Sequence, residues 1–147
     1  MKTRYFALVF GLLFLIAGIL GFIPSLLTAA PSEGPPMAVN SFYGYLFGLF
    51  PVNLVHDLVN MALGIWGLAA WRDFPMSRIF ARSAAVIFAA LAVLGLIPEL
   101  DTLYGIVPLY SNEVWLHAVS AIIAGYFGWA PVAAVTTAGE PMSGIRR

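Results

Sequence analysis

The sequence contains no cysteine, which excludes disulfide bridges, thiolate metal sites and thiol catalysis. Charge is also scarce, because only 10% of the 147 residues are charged, whereas a soluble domain carries charge on roughly a quarter of its residues. Signatures of catalysis and of nucleic-acid binding are missing: no glycine-rich phosphate loop follows a strand, no serine-centred elbow occurs, and no basic patch is interleaved with aromatic residues. We therefore expect neither an enzyme nor a nucleic-acid-binding protein.

What the sequence has in abundance is apolar residues, which make up 61% of the chain and raise its mean hydropathy to +0.92. A helix of about 20 apolar residues spans the hydrocarbon core of a bilayer, since each residue adds about 1.5 Å. We predict an all-α membrane protein with four transmembrane helices. The predicted spans are about 5–27, 52–71, 79–97 and 112–135, and a flexible cytoplasmic tail is predicted at 136–147. Residues 40–50, rich in Phe and Tyr, are predicted to be an interfacial segment leading into the second helix.

The distribution of basic residues predicts the topology. All seven lie at the N-terminus, in or near the connection between the second and third helices, or in the tail: Lys2, Arg4, Arg72, Arg78, Arg82, Arg146 and Arg147. The only charged residues in the first and third loops are acidic. Because cytoplasmic loops of membrane proteins are enriched in Lys and Arg, we expect both termini to be cytoplasmic, in a bacterial inner membrane.

The chain also carries an internal duplication. The segment RYFALVFGLLFLIAGILGFIPSL, which begins at Arg4, aligns without gaps to RIFARSAAVIFAALAVLGLIPEL, which begins at Arg78. After a short insertion in the second copy, further pairs align: His56 with His117, Gly64 with Gly125, and Gly67 with Gly128. We predict that the four spans are a duplicated two-helix hairpin with repeat halves at about 4–71 and 78–135. Since each hairpin crosses the bilayer twice, the copies should be related by a pseudo-two-fold axis along the membrane normal.

Polar side chains interrupt the second and fourth spans at matching depth. On the second span, Asn53, His56 and Asn60 share one helical face, and on the fourth span Glu113, His117 and Ser120 do the same. Asp57 points about 100° away from His56, so it would meet solvent or another helix. Ionisable residues inside a membrane span are costly and are functional candidates by default.

Several interpretations of this polar cluster remain open. Asn, Ser and His commonly form hydrogen bonds between membrane helices, which would make the cluster purely structural. His56 and His117 are candidate cofactor ligands, because two facing histidines can hold a haem or a chlorophyll-like ring in a helix bundle. His56, His117 and Glu113 are candidate ligands of a divalent metal with one open position. A pocket for protons or a small polar ligand is the remaining alternative.

Two stretches, LFGLFPVNLVHDLVNMALGIWGL and PLYSNEVWLHAVSAIIAGYFG, resemble the signature stretches of a bacterial membrane family known as domain of unknown function 4383. The family pattern is roughly N-x-x-H-N-x-x-H-x-x-x-G in the second span and D-N-x-x-H-x-x-x-G in the fourth. The matching residues are Asn53, His56, Gly64 and His117. This sequence departs from the pattern by having Asp57 for Asn, Asn60 for the second His, Glu113 for Asp, Val114 for Asn and Ala121 for Gly. The resemblance covers about 4–129 and implies a four-helix fold but no activity, and the missing second His weakens a three-histidine metal site.

Together these features predict a non-catalytic accessory or scaffold subunit of a larger membrane complex. Its expected partners are the lipid bilayer and other membrane subunits or a second copy of the chain. The alternatives are a membrane subunit that binds a haem, a chlorophyll-like pigment or a metal, and a small permease. Without a bound cofactor, the polar residues would serve as contacts between helices.

Overall fold

The four predicted helical segments all form helices in the computed structural model, which describes residues 2–32, 34–129 and 131. These helices are α1 (Lys2–Leu20), α2 (Leu54–Ala70), α3 (Phe74–Leu94) and α4 (Asn112–Trp129). Within the described residues, α1 and α3 are long and apolar enough to cross a membrane, and α2 is a shorter apolar helix of 17 residues. The prediction of a mostly helical protein with four helices is confirmed.

The first helix is shorter than predicted. It ends at Leu20 rather than near Leu27, and a short 3-10 turn follows at Pro24–Leu26. Pro24 explains the early end: proline has no backbone N–H to donate, and it disfavours helical geometry in the residue before it. Ile23 accordingly adopts an extended conformation, with φ −100° and ψ 102°.

The other helix ends also differ from the sequence prediction. α3 begins at Phe74 rather than near Ile79, because Asp73 caps it by accepting a hydrogen bond from the Met76 N–H at 3.1 Å. Pro75 lies in the first turn, where its missing N–H costs nothing. The helix ends at Leu94 rather than near 97. The last described residue of α4 is Trp129, so its predicted continuation to 135 and the predicted tail at 136–147 lie outside the described residues.

A small antiparallel sheet is the feature that the all-α prediction missed. Its strands are β1 (Leu27–Thr28), β2 (Gly44–Leu46) and β3 (Phe50–Val52), in the order β1-β2-β3. The turn between β2 and β3 uses left-handed backbone at Phe47 and Gly48, with φ of 54° and 71°. Strands this short show no alternation of apolar and polar residues that the sequence could reveal. Residues 40–50, predicted as an interfacial segment leading into the second helix, therefore contain β2 and the first residue of β3.

The helices pack as two hairpins, α1 mainly against α2 and α3 mainly against α4. Small residues let the backbones of α1 and α2 approach closely. A Cβ atom added to Gly64 would lie 2.5 Å from the backbone nitrogen of Leu15, and one added to Gly67 would lie 2.8 Å from the Cα of Gly11. The first hairpin is therefore held by direct backbone contact.

Phenylalanine rings join the two hairpins across the centre. Phe6 and Phe80 have ring centroids 6.3 Å apart, and the centroids of Phe14 and Phe88 are 4.9 Å apart. Phe10 lies between them and contacts Phe88 edge-on at 5.8 Å. All five side chains are buried, so this stack forms the apolar core between α1 and α3.

Basic residues tie the helix ends together at one end of the molecule. The Arg4 Nε donates a hydrogen bond to the Trp71 carbonyl oxygen at 2.8 Å, and the Arg82 Nε donates one to the Gly128 carbonyl oxygen at 2.9 Å. These bonds link the start of α1 to the end of α2, and the start of α3 to the end of α4. The polar cluster predicted from sequence lies at the opposite end, where α2 and α4 begin.

Candidate metal site

The start of α2 is fixed by Asn53, which is buried and caps the helix. Its side-chain oxygen accepts a hydrogen bond from the His56 N–H at 3.0 Å. Its amide nitrogen donates to the carbonyl oxygens of Val39 at 3.1 Å and Ile106 at 2.8 Å. One side chain thus ties two separate loops to the first turn of α2, and this arrangement sets the position of His56.

A tyrosine pair joins the same two loop regions. The hydroxyls of Tyr43 and Tyr110 lie within hydrogen-bonding distance of each other, and Tyr110 directly precedes the residues that open α4. Burial, together with the hydrogen bond to Tyr43, raises the pKa of Tyr110 above its ordinary value. Tyr110 therefore stays neutral at physiological pH.

Three ionisable side chains converge between α2 and α4. The Nε2 of His117 lies 3.4 Å from the Oε2 of Glu113, one helical turn earlier on the same face of α4. The Nε2 of His56 on α2 lies 3.7 Å from the same oxygen. The centroids of the two imidazole rings are 6.4 Å apart, and the ring planes are nearly perpendicular. One candidate ligand atom from each residue lies within 4.8 Å of the other two.

The cluster is shielded from solvent. His56, Glu113 and His117 are only 4%, 1% and 2% exposed, and the Phe88 ring stacks on His117 at 5.5 Å. The Glu113 Oε2 and the Nδ1 atoms of both histidines have no hydrogen-bond partner in the described part of the chain. Since nearly all buried polar atoms in native proteins are hydrogen-bonded, the Glu113 Oε2, which faces both Nε2 atoms, points to a bound group.

The distances suit a metal ion better than hydrogen bonds. Separations of 3.4 and 3.7 Å exceed the usual N–H···O range of about 2.7–3.2 Å. Two ligand atoms on a tetrahedral ion with bonds of about 2.0–2.1 Å are about 3.4 Å apart. Two imidazole nitrogens and one carboxylate oxygen are ligands that suit zinc and related divalent ions. The two His–Glu separations therefore fit a metal ion with one position left open.

A planar macrocycle fits this arrangement less well. A haem or chlorophyll-like ring held by His56 and His117 would lie between the two imidazoles. The Glu113 carboxylate occupies that space, because its Oε2 approaches both Nε2 atoms, and Phe88 covers His117. The geometry thus favours the metal interpretation over the pigment interpretation.

The remaining residues of the predicted polar cluster lie in three different places. Asn60 lines the same cavity as His56 and Glu113, whereas Ser120 lines the adjoining apolar groove. Asp57 is fully buried, and both of its carboxylate oxygens lack a hydrogen-bond partner in the described chain. It packs against Gly21, where an added Cβ atom would lie 2.0 Å from the Asp57 Oδ1. Asp57 therefore contacts the chain just after α1, away from solvent.

Some residues of the site were not identified from sequence. Phe88 aligns with Phe14 in the two repeats, but nothing in its spacing shows that it covers His117. Both aligned repeats close on an L-G-x-I-P motif, and the place of Gly21 in that motif is the only signal for it in the sequence. A Cβ at this position would clash with Asp57, which explains the need for glycine there.

Four helices around a buried cluster of two histidines and one glutamate define a small helical protein with a candidate metal site. The chain belongs to the family described as domain of unknown function (DUF4383), whose model matches residues 4–130. The resemblance identified from the signature stretches is thereby confirmed. No curated protein and no solved structure matched the chain. The family description names no activity.

Proposed function

We propose that this protein is a four-span bacterial inner-membrane protein that binds one divalent transition-metal ion through His56, Glu113 and His117. The observation that carries the proposal is the convergence of three buried ligand atoms within 4.8 Å of one another, drawn from two helices. In this role the ion joins α2 of one hairpin to α4 of the other. The proposed activity is metal binding, with no catalytic step.

The exposed helix faces support the membrane-spanning part of the proposal. Large apolar side chains point outward from all four helices, with Leu13 58%, Ile65 57%, Val86 63% and Ile122 72% exposed. In water such surfaces would associate, whereas in a bilayer they match the surrounding lipid. The described basic residues cluster at the end where α1 and α3 begin. This asymmetry supports a cytoplasmic location for that end.

Contacts between equivalent residues support the duplication and its pseudo-two-fold axis. The aligned repeats pair Phe6 with Phe80, and Phe14 with Phe88, and the members of each pair touch each other. His56 and His117, which are also paired by the alignment, have rings 6.4 Å apart. Two equivalent residues can touch in this way only if both lie next to the axis that relates them. Such an axis would run along the phenylalanine stack and through the proposed metal site.

Electrostatics explains why an ion would be held there. A buried carboxylate without a partner is costly in a low-dielectric interior, and a divalent cation removes that cost. Neutral imidazoles suit the role because a metal ligand must present a lone pair. Bound between α2 and α4, the ion would hold together two hairpins that otherwise meet mainly through phenylalanine rings.

The test is a metal analysis of the full chain extracted from its membrane in mild detergent, with an absorption spectrum recorded on the same sample. We expect about one ion per chain, no pigment band, and loss of the ion in His56→Ala, His117→Ala and Glu113→Gln. Removing one of three ligands should lower the affinity at least about 100-fold. The matched control is Ser120→Ala, a buried polar residue of α4 outside the cavity, which should retain the ion.

Two results would contradict the metal proposal. One is a metal content that stays the same in His117→Ala, which would place the ion elsewhere. The other is a strong pigment band that disappears in the histidine variants, which would support the haem or chlorophyll-like alternative. The proposal includes the accessory-subunit role, since a scaffold whose hairpins are joined by a metal ion suits it. Identification of membrane subunits that co-purify with the protein measures this role. The permease alternative stays a prediction.

A further inference from the structure

A cavity leads from the outer surface to the candidate metal site. Its volume is about 250 Å³, and its walls come from α1, the β2–β3 hairpin, α2 and α4. Exposed apolar residues form the rim, among them Leu13, Ile16 and Phe47, which are 50–58% exposed. The buried residues His56 and Glu113 form part of the inner wall. The cavity therefore runs from an apolar rim to a polar inner end.

A second, larger groove continues from this cavity. It has a volume of about 780 Å³ and runs between α1 and α4. The two spaces share four lining residues, which are Leu13, Phe14, Ala17 and Leu116. Because α1 rises about 1.5 Å per residue, the groove from Lys2 to Ala17 is about 22 Å long. Cavity and groove together form one elongated channel along the side of the protein, which we call the α1–α4 channel.

Polar groups are concentrated at one end of the α1–α4 channel. The large groove is lined by apolar residues apart from Lys2 at its far end and Ser120 along its side. The small cavity holds His56, Asn60 and Glu113 together. A molecule that matches this distribution has a long apolar chain and one small polar head.

We propose that the α1–α4 channel binds a single neutral long-chain lipid whose carbonyl or hydroxyl oxygen reaches the His56–Glu113–His117 cluster. Coordination of that oxygen rests on the proposed metal site, whereas binding of the lipid's apolar chain in the groove does not. The lipid would enter from the bilayer through the apolar rim. Its head would occupy the position that the three protein ligands leave open on the ion.

The shape of the inner cavity argues against a protein helix as the occupant. A helix with its side chains is about 10–12 Å wide, so it would cover the outer groove without entering a space of about 250 Å³. The polar inner end would then stay unmatched. A lipid chain is narrow enough to follow the groove and place its head inside, so it accounts for both spaces.

Charge balance favours a neutral head. A divalent ion with Glu113 carries one net positive charge, and Asp57, buried and next to His56 in the chain, would supply a second negative charge. Since buried charges are stable only when compensated, an anionic head would upset this balance. The Asn60 side-chain amide, also buried in the cavity wall, provides a donor for a carbonyl or hydroxyl oxygen.

Photo-crosslinking of the full chain in lipid nanodiscs tests the proposal. The probes are a long-chain alcohol, the matching fatty acid and a phospholipid, each with a diazirine in its chain. We expect the alcohol to label residues of the α1–α4 channel, such as Leu13 and Leu116, more strongly than the exposed α3 residue Val86. An unlabelled isoprenoid quinone and an unlabelled alcohol are added as competitors, and the stronger competitor identifies the source of the oxygen head.

A plug variant with a matched control separates the channel from general lipid contact. Ala17→Phe adds bulk where the cavity and the groove meet and should lower labelling about tenfold. Ala90→Phe, the same change at an exposed position of α3, should leave labelling unchanged. Metal content should be unaffected in both variants. This readout also shows that the plugged protein is folded.

Several outcomes would overturn the lipid proposal. They are equal labelling of the channel and of Val86, unchanged labelling in Ala17→Phe, and fatty-acid labelling as strong as alcohol labelling. If the protein is metal-free but its channel labelling is lost in Ala17→Phe, binding of the lipid's apolar chain in the channel is still supported. The metal proposal would fail in that case. A metal-bearing protein without channel labelling would overturn only the lipid inference.

Discussion

The two hairpins pack equally closely at Gly67 and its counterpart Gly128, but they differ at the level of Gly64 and its counterpart Gly125. In the α1–α2 hairpin, an added Cβ atom at Gly64 would lie 2.5 Å from the backbone of α1. Its aligned counterpart in the α3–α4 hairpin is Gly125, where the nearest atom to an added Cβ is the Ala85 Cβ at 3.9 Å. The first hairpin thus has no space for a methyl group at this level, whereas the second has ordinary van der Waals room.

The hairpins differ even more at the end that carries the site. α2 opens with a buried asparagine cap, Asn53, and adds Asp57 and Asn60 beside its histidine. α4 contributes Glu113 one turn before its histidine, and this carboxylate lies between the two imidazoles. The two histidines are aligned counterparts, but the carboxylate comes from one hairpin alone. The comparison teaches that the repeated framework positions the histidine pair, and that an unrepeated residue turns the pair into a three-ligand cluster.

Adding one methyl group to each hairpin gives the sharpest test of the packing difference. Gly64→Ala forces a Cβ into the α1 backbone, so we expect a loss of about 3 kcal/mol in the free energy of unfolding. Gly125→Ala has room for the methyl group and gains helix propensity, so we expect a change between zero and a gain of about 1 kcal/mol. Denaturant titration in detergent measures both variants. Equal losses would show that the hairpins pack alike.

The two side-chain caps sharpen the comparison at the helix starts. Asn53→Ala removes the cap of α2 and two further bonds to loop carbonyls, with an expected loss of about 2–3 kcal/mol in unfolding free energy. Asp73→Ala removes only the exposed cap of α3 and should cost about 1 kcal/mol or less. Thermal unfolding of both variants checks this order. A smaller loss for Asn53→Ala would mean that the loops are held by other contacts.

The glycines of the repeated L-G-x-I-P motif offer a finer comparison. Gly21 faces the Asp57 side chain, whereas its counterpart Gly95 faces the Leu109 backbone, with added Cβ atoms 2.0 and 2.2 Å from the nearest oxygen. Gly21→Ala should therefore destabilise the protein less in an Asp57→Ala background, with a coupling free energy of about 1–2 kcal/mol. Gly95→Ala should show no such coupling to Asp57→Ala. A double-mutant cycle by denaturant titration measures both, and equal coupling would contradict the assigned contacts.

Much of the framework was predictable because it depends on local patterns. Runs of apolar residues between Gly and Pro breakers indicated four helices, and the aligned repeats paired His56 with His117 before their contact was known. The start of α4 at Asn112 agreed with the prediction. The ends of α1 and α3 were less predictable. In the sequence, an apolar residue that follows a helix cannot be told from one inside it. A proline either ends a helix or occupies its first turn, and backbone geometry decides which.

The sequence by itself determined the four helices, the basic end, the repeat and the identity of the polar side chains, because periodicity and spacing along the chain encode them. Only the tertiary structure decided that Glu113 lies between the histidines, that Asp57 is buried against Gly21, and that a channel runs between α1 and α4. These features depend on which helix faces meet and how closely. That is decided by packing between residues far apart in sequence, and no local pattern records it.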